Sequence, residues 1–107
     1  MTKITIFQRD NEVVGFESKG HSGYAEAGSD IICSAVSVLI LNTLNSLEQL
    51  TDVDFEGSVD EENAVIECMI TDKNSIESLV LFNSLVLGLT MLAEDNPKFV
   101  SITFKEV

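Results

Sequence analysis

The 107-residue sequence has few of the residues on which several classes of protein depend. Its two cysteines allow at most one disulfide, which excludes a secreted domain held together by several bridges. Six basic residues against 18 acidic ones give a formal net charge of −12, which disfavours direct binding to DNA or RNA. A single histidine leaves too few soft ligands for zinc unless Asp30 and water complete the set. We therefore expect thiols rather than a disulfide, with no metal and no cofactor.

Long hydrophobic runs are also missing. The longest, residues 31–41 and 79–93, are interrupted by Ser, Asn or Thr. Both fall short of the roughly 18 to 20 residues that a membrane span requires. The N-terminal residues alternate between polar and apolar and then become charged, without the basic leader and apolar block of a signal peptide. We expect a soluble, cytoplasmic protein without a membrane segment.

Apolar side chains are nevertheless plentiful. Hydrophobic residues make up 45% of the chain, charged residues 22%, and there is one proline. This composition offers enough apolar surface to offset the loss of chain entropy on folding, so intrinsic disorder is disfavoured. The length is typical of one domain, which we expect to span residues 1–107.

The hydrophobic pattern predicts secondary structure in the order ββαββαβ. Apolar alternation predicts strands over residues 3–8, 14–16, 53–59, 64–70 and 99–104, with a polar hairpin turn at residues 9–12. Apolar residues every three or four positions predict one helix over residues 31–50, capped by Ser29 or Asp30, and another from a capping box at Asn74 to Ala93. Because the strands come mainly in hairpins, we predict an α+β fold with a largely antiparallel sheet and two packed helices.

Residues 20–33 do not follow these patterns. Three glycines, Gly20, Gly23 and Gly28, lie within nine residues between a predicted strand and a predicted helix, which indicates a mobile or unusually shaped loop. The segment also contains the only histidine, His21, and a cysteine, Cys33, near the start of the helix. A helix N-terminus favours the thiolate form, and a neighbouring imidazolium favours it further. The residues alone leave two interpretations open for Cys33, a nucleophile or a small core residue.

The other cysteine and the acidic residues are interpreted differently. Cys68 falls on the same strand face as Ile66 and Ile70, so we predict a buried structural thiol. Residues 48–67 contain eight carboxylates and no Lys or Arg, but they lack the spacing of an EF-hand loop and are typical of a solvated surface. The charges at residues 60–62 would attract a basic protein or peptide if they lie near the site.

The segment around His21 and Cys33 resembles the signature of the ribosomal-processing cysteine protease (Prp) family. That signature is Gly-His, a short glycine-containing loop, Gly-x-Asp, two branched aliphatic residues, Cys, two small residues, an aliphatic residue and Ser, and every element occurs over residues 20–37. Length, acidic character and element order are similar too. The resemblance implies a catalytic pair of His21 and Cys33. Asp30 is a candidate orienter of His21 or a helix cap.

The resemblance further implies a loop that closes over the substrate, and in this sequence its residues are Gly20, Ser22, Gly23, Tyr24 and Gly28. It implies an endopeptidase that removes a short N-terminal extension from a large-subunit ribosomal protein, cutting a segment that is apolar and aromatic and then basic. It also implies a cytoplasmic homodimer, and the strongly apolar residues 79–93 independently favour self-association. Two other functions stay compatible with the residues: a non-catalytic ribosome-assembly or basic-peptide-binding module, and a thiol-dependent hydrolase of small molecules.

Overall fold

The computed structural model describes residues 1–20 and 29–107, apart from the side chains of Ser29 and Asp30. Within these residues a five-stranded sheet carries two helices on one face. The strands are β1 (Thr2–Arg9), β2 (Glu12–Lys19), β3 (Phe55–Asp60), β4 (Val65–Ile70) and β5 (Val100–Glu106), and the helices are α1 (Ser29–Leu50) and α2 (Ile76–Asp95). This arrangement confirms the predicted ββαββαβ order and the α+β fold.

The spatial order of the strands is β3-β4-β2-β1-β5. Three neighbouring pairs are antiparallel, and β1 and β5 are parallel. It follows that β2 and β3 run in the same direction, joined by α1, and that β4 and β5 do so as well, joined by α2. The ends of β2 and β3 and the starts of β1, β4 and α1 therefore lie at the same end of the sheet.

The core lies between the sheet and the helices. Ile4, Ile6 and Phe16 alternate with outward-facing residues along β1 and β2 and are almost completely buried. Phe16 contacts Phe82 of α2 edge to face, with ring centroids 6.5 Å apart. Cys68 on β4 pairs with Phe16 in register and is fully buried, which confirms its predicted place in the core.

The β1–β2 hairpin has a turn of the predicted kind. Asp10 and Asn11 at its tip have φ angles of 54° and 66°, in the left-handed region. Two such residues form the type I′ turn that matches the twist of antiparallel strands, and Asp and Asn tolerate this conformation better than most residues.

The start of α1 differs from the prediction. The helix begins at Ser29, two residues before the predicted start at residue 31. Cys33 is consequently the fifth helical residue, about one turn from the N-terminus. The side chains of Ser29 and Asp30 lie outside the described residues, so capping of α1 by one of them stays a prediction.

The start of α2 is displaced by one residue from the predicted capping box at Asn74. The cap is Ser75, whose hydroxyl accepts from the backbone N–H of Ser78, while the Ser78 hydroxyl accepts from the backbone N–H of Ser75. Asn74 donates from its side chain to the Val13 carbonyl and accepts from the Ser78 hydroxyl. It therefore joins the helix start to β2, a tertiary contact that local spacing does not reveal.

By length and composition alone, the helical segments Ile31–Leu50 and Ile76–Asp95, of 20 residues each, could cross a membrane. Each helix is therefore longer than the apolar run within it, residues 31–41 or 79–93, and reaches the length of a span only together with its polar residues. Each helix nevertheless buries one side against the sheet, through Val36, Ile40 and Leu47 of α1 and Phe82, Leu85 and Leu89 of α2. We interpret both as core helices of the α+β fold.

Candidate active site

A cavity of about 240 Å³ opens at the end of the sheet where β2 and β3 end and α1 begins. Its walls come from the start of β1, the end of β2, the first turns of α1 and the β3–β4 turn. The lining residues are Thr2, Ser18, Gly20, Cys33, Val36, Ser37, Val59, Asp60, Glu61, Ala64, Val65 and Ile66. Cys33 thus lies in the wall of a concave site. It is not a fully buried core residue, which was one of its two interpretations from the sequence.

Cys33 is half-buried and makes a polar contact. Helical side chains lean toward the helix N-terminus, which here is the end of the sheet where β1 starts. There Thr2 Oγ1 lies 3.4 Å from Cys33 Sγ, within hydrogen-bonding distance for sulfur, and either atom can be the donor. One turn further along α1, Ser37 lines the same cavity. The thiol therefore has a hydroxyl partner on β1 and shares its cavity with a second hydroxyl on α1.

Gly20 closes the end of β2 in a conformation that suits only glycine. Its φ is +97°, and a Cβ at this position would lie 2.6 Å from the carbonyl oxygen of Met1. Its backbone N–H donates to the carbonyl of Ala64 at 3.1 Å. Gly20 therefore lets the start of β1 and the β3–β4 turn approach the end of β2, and this approach shapes the cavity.

The rest of the predicted site lies outside the described residues. This holds for His21, Ser22, Gly23, Tyr24 and Gly28, and for the side chain of Asp30. Of the proposed catalytic pair, the structure therefore locates Cys33, while the pairing with His21 stays a prediction. Among residues 1–20 and 29–107, no three His, Cys, Asp or Glu side chains are grouped so that they could hold a metal ion.

The β3–β4 turn gives the cavity an acidic wall. Asp60 and Glu61 line it, and both are exposed. Asn63 fixes the Asp60 carboxylate with its side-chain amide at 2.8 Å and its backbone N–H at 3.1 Å. These hydrogen bonds, the side-chain one first, lower the pKa of Asp60 from its ordinary value because they favour the charged form. The acidic charges singled out in the sequence thus face the site of Cys33.

Cys68 has none of these features. Its side chain is fully buried on the face of β4 that packs under the helices. Burial raises the pKa of the Cys68 thiol to about 12, because the apolar surroundings disfavour the thiolate. This is the environment of a structural cysteine.

Two nearly buried polar residues of the cavity were not predicted from the sequence. Thr2 and Ser18 lie at the helix-facing positions of β1 and β2, are nearly buried, and line the cavity. The sequence contained a signal of both. Thr2 stands two residues before the alternating Ile4 and Ile6, and Ser18 stands two residues after Phe16, so each places a hydroxyl at the end of an apolar strand face. Because buried hydroxyls require hydrogen-bond partners, a polar residue at the end of an apolar strand face indicates a polar contact there.

Comparisons with known proteins identify the family and agree with the fold. The model of the cysteine protease Prp family matches residues 1–101. A Bacillus subtilis protein named ribosomal processing cysteine protease Prp is 29% identical, covering 72% of this chain and 88% of the relative. A solved Streptococcus mutans structure is 32% identical with a TM-score of 0.85, covering 100% of this chain and 96% of that one. The Prp protease of Staphylococcus aureus, solved with a covalently linked product peptide, has a TM-score of 0.88 at 21% identity, covering 98% and 100% of the two chains. The sequence signature, the fold and these matches together show that this chain belongs to the cysteine protease Prp family.

Proposed function

We propose that this chain is an endopeptidase in which Cys33 is the nucleophile and His21 its proton acceptor and donor. The observation that supports this most directly is the position of Cys33, a half-buried thiol in the wall of a cavity in a chain of a cysteine protease family. Gly20, which precedes His21 in the sequence, lines the same cavity and supports a pair formed across it.

The proposed reaction has two halves. The Cys33 thiolate attacks the scissile carbonyl carbon, an S–C bond forms, and the carbonyl electrons move to oxygen. Backbone N–H groups in the first turn of α1 are candidate donors to this oxyanion. The C–N bond then breaks, and His21, carrying the former thiol proton, protonates the leaving amine. In the second half His21 takes a proton from water, which attacks the thioester and releases Cys33.

The proposed substrate is a short N-terminal extension of a large-subunit ribosomal protein, with apolar and aromatic residues followed by basic ones. Curated relatives are named for ribosomal processing, and the Staphylococcus aureus structure contains a product peptide. The cavity combines apolar walls at Val36, Val59 and Ile66 with the acidic wall at Asp60 and Glu61. Such a surface is complementary to an apolar segment with a neighbouring positive charge. On this proposal the segment from Gly20 to Gly28 closes over the bound peptide.

We also propose that the enzyme is cytoplasmic, since its substrate would be a ribosomal protein. We further propose that it is a homodimer. On α2 four large apolar side chains, Ile76, Val80, Leu87 and Met91, are exposed on the side away from the sheet. A second copy would bury this surface. Sedimentation should show a two-fold species that Leu87→Glu weakens and that Gln49→Glu, at an exposed polar position of α1, leaves intact. A single 11.7 kDa species at micromolar concentration would contradict the dimer.

Cleavage of an internally quenched peptide with an aromatic-then-basic sequence tests the function. The parent chain should cut it, Cys33→Ala and His21→Ala should not, and Cys68→Ala should retain activity with some loss of stability. Because the Cys68 variant also removes a thiol, it is the matched control for Cys33→Ala. Turnover by folded Cys33→Ala would refute the proposal.

Two further measurements beside the cleavage assay separate the endopeptidase from the two alternative functions, a peptide-binding module and a small-molecule hydrolase. A peptide-binding module would bind the peptide by anisotropy without cutting it, whether or not Cys33 is alkylated. A small-molecule hydrolase would cleave an activated ester but not the peptide. Either result in the parent chain would replace the endopeptidase proposal.

A further inference from the structure

The geometry points to Thr2 as a positioning residue that holds and stabilises the Cys33 thiolate through its hydroxyl. This inference rests on the proposed role of Cys33 as nucleophile, and it assigns a function to the start of β1, which the sequence signature over residues 20–37 does not include. The observation behind it is the 3.4 Å separation of Thr2 Oγ1 and Cys33 Sγ across the cavity wall.

Thr2 is held firmly enough for this role. Its backbone N–H donates to the carbonyl of Phe99 at 2.8 Å, and it pairs with Val100 at the start of the parallel β1–β5 ladder. The residue is 3% exposed, and its side chain lies on the helix-covered face of the sheet. A hydroxyl on a strand that is fixed by both neighbours keeps its position while the thiol reacts.

The identity of the residue supports the same conclusion. Ile4 and Ile6 follow Thr2 on the same face of β1 and are buried without polar atoms. A hydroxyl at such a position costs stability unless it makes a hydrogen bond. Valine or isoleucine would fill the position without this cost, so the threonine is explained by its contact with Cys33.

The direction of the hydrogen bond follows from the charge on sulfur. While Cys33 is a neutral thiol, either partner can donate. A thiolate has no proton and only accepts, so the Thr2 hydroxyl rotates to donate to it. A donor that favours the charged form increases the fraction of thiolate at a given pH. Because Thr2 is nearly buried, water competes little for this bond.

The test is the pH dependence of Cys33 alkylation by iodoacetamide, followed by mass spectrometry of the Cys33 peptide. Thr2→Val keeps the branched shape and removes the hydroxyl. We expect its alkylation at pH 7 to be about tenfold slower, as for loss of a hydrogen bond to a charged group. The midpoint of the profile should move to higher pH while the plateau at alkaline pH is unchanged. Thr2→Ser, which keeps the hydroxyl, should restore the parent profile.

The matched control is Thr43→Val on α1. Thr43 is also buried, at 6% exposure, and its hydroxyl donates to the carbonyl of Leu39 at 2.8 Å, within its own helix. We expect this variant to lose stability without moving the alkylation midpoint. If Thr2→Val does not fold, Thr2→Ser and Thr2→Ala replace it, since they differ from each other only by the hydroxyl. We then expect the midpoint of Thr2→Ala, but not that of Thr2→Ser, to move to higher pH.

Three results would overturn the inference: superimposable profiles for Thr2→Val and the parent, equal shifts in Thr2→Val and Thr43→Val, or a changed plateau with an unchanged midpoint. Alkylation needs no substrate. A parent chain that fails to cut the peptide would therefore refute the proposed function, while the Thr2 profile would still decide the role of its hydroxyl.

Discussion

Cys68 lies on the inner strand β4, opposite Phe16 on β2 and Gly57 on β3, with its side chain fully buried. Cys33 lies on α1 at the end of the sheet, half-buried beside a hydroxyl and an acidic turn. At Cys68 burial raises the pKa to about 12 and keeps the thiol protonated at neutral pH. At Cys33 polar neighbours and an open cavity surround the sulfur. The comparison teaches that a cysteine enclosed between sheet and helices is held as a neutral structural thiol, whereas a cysteine at the end of the sheet has a polar contact and access to a cavity.

The largest expected difference is in alkylation of the native protein. At pH 8 iodoacetamide should modify Cys33 at least about a thousandfold faster than Cys68. A rise in pKa from 9.0 to about 12 reduces the Cys68 thiolate by that factor, and burial blocks access as well. In denaturant the two thiols should react at similar rates, which is the control. Comparable native rates, measured by peptide mass spectrometry, would break the comparison.

Glycine-to-alanine substitutions compare the backbone around each thiol. Gly20→Ala should destabilise the chain by about 1–3 kcal/mol, since φ is +97° and the new Cβ meets the Met1 carbonyl beside the Cys33 cavity. Gly57, opposite Cys68, has ordinary contacts of 3.6 Å or more around its Cβ position, so Gly57→Ala should be nearly neutral or stabilising. Urea unfolding measures both. Equal losses at the two positions would contradict the special role of Gly20.

Alkaline stability tests the protonated state of Cys68. Between pH 9 and about 12 the unfolded chain loses the thiol proton while the folded chain keeps it, so stability decreases as pH rises through this range. At pH 10 this contribution is about 1 kcal/mol. Cys68→Ala lacks the group and should lose stability less steeply with pH, although it is less stable at neutral pH. Tyrosine and lysine titrations are common to both chains, so parallel curves would show that Cys68 has an ordinary pKa.

The smallest expected effect concerns the acidic wall beside Cys33. Asp60→Asn with Glu61→Gln should lower kcat/KM for a basic peptide by about two- to fivefold at low salt, with kcat little changed. The difference should fade at high salt, since exposed charges are screened beyond a Debye length of about 8 Å at physiological ionic strength. Asp52→Asn with Asp54→Asn removes two exposed acidic residues that do not line the cavity and is the matched control. A salt-independent kcat/KM, or an equal effect of both pairs, would exclude steering by this wall.

Much of the fold could be predicted, because alternation in the strands and three-to-four spacing in the helices are local properties of the sequence. The Asp10-Asn11 turn and the burial of Cys68 follow from the same patterns. The start of α2 could not be placed at Ser75, because its geometry depends on a buried Ser78 and on the contact of Asn74 with β2. The start of α1 at Ser29 lies two residues before the predicted one, because the apolar spacing that indicates the helix begins only at Ile31.

The site was predictable only in part, for a related reason. Cys33 was found because it lies in a recognisable segment. Thr2 and the Asp60–Glu61 turn reach the same cavity only through the strand order β3-β4-β2-β1, in which residues far apart in sequence become neighbours. No local pattern contains that order. The sequence signals the cavity at these strands only through the hydroxyls of Thr2 and Ser18, which stand at the ends of apolar strand faces.

The cavity around Cys33 takes its walls from residue 2, residues 18–20, residues 33–37 and residues 59–66. During synthesis on the ribosome, His21 and Cys33 precede the β3–β4 turn by more than twenty residues of chain. The nucleophile of the proposed enzyme is therefore made well before the wall that would hold a peptide against it. Contacts between such distant segments form late in folding, because the intervening chain must first be ordered. On the proposed mechanism, proteolytic competence would consequently arise only once β3 and β4 are in place, so that an unfinished copy has Cys33 but not the cleft that holds a peptide against it.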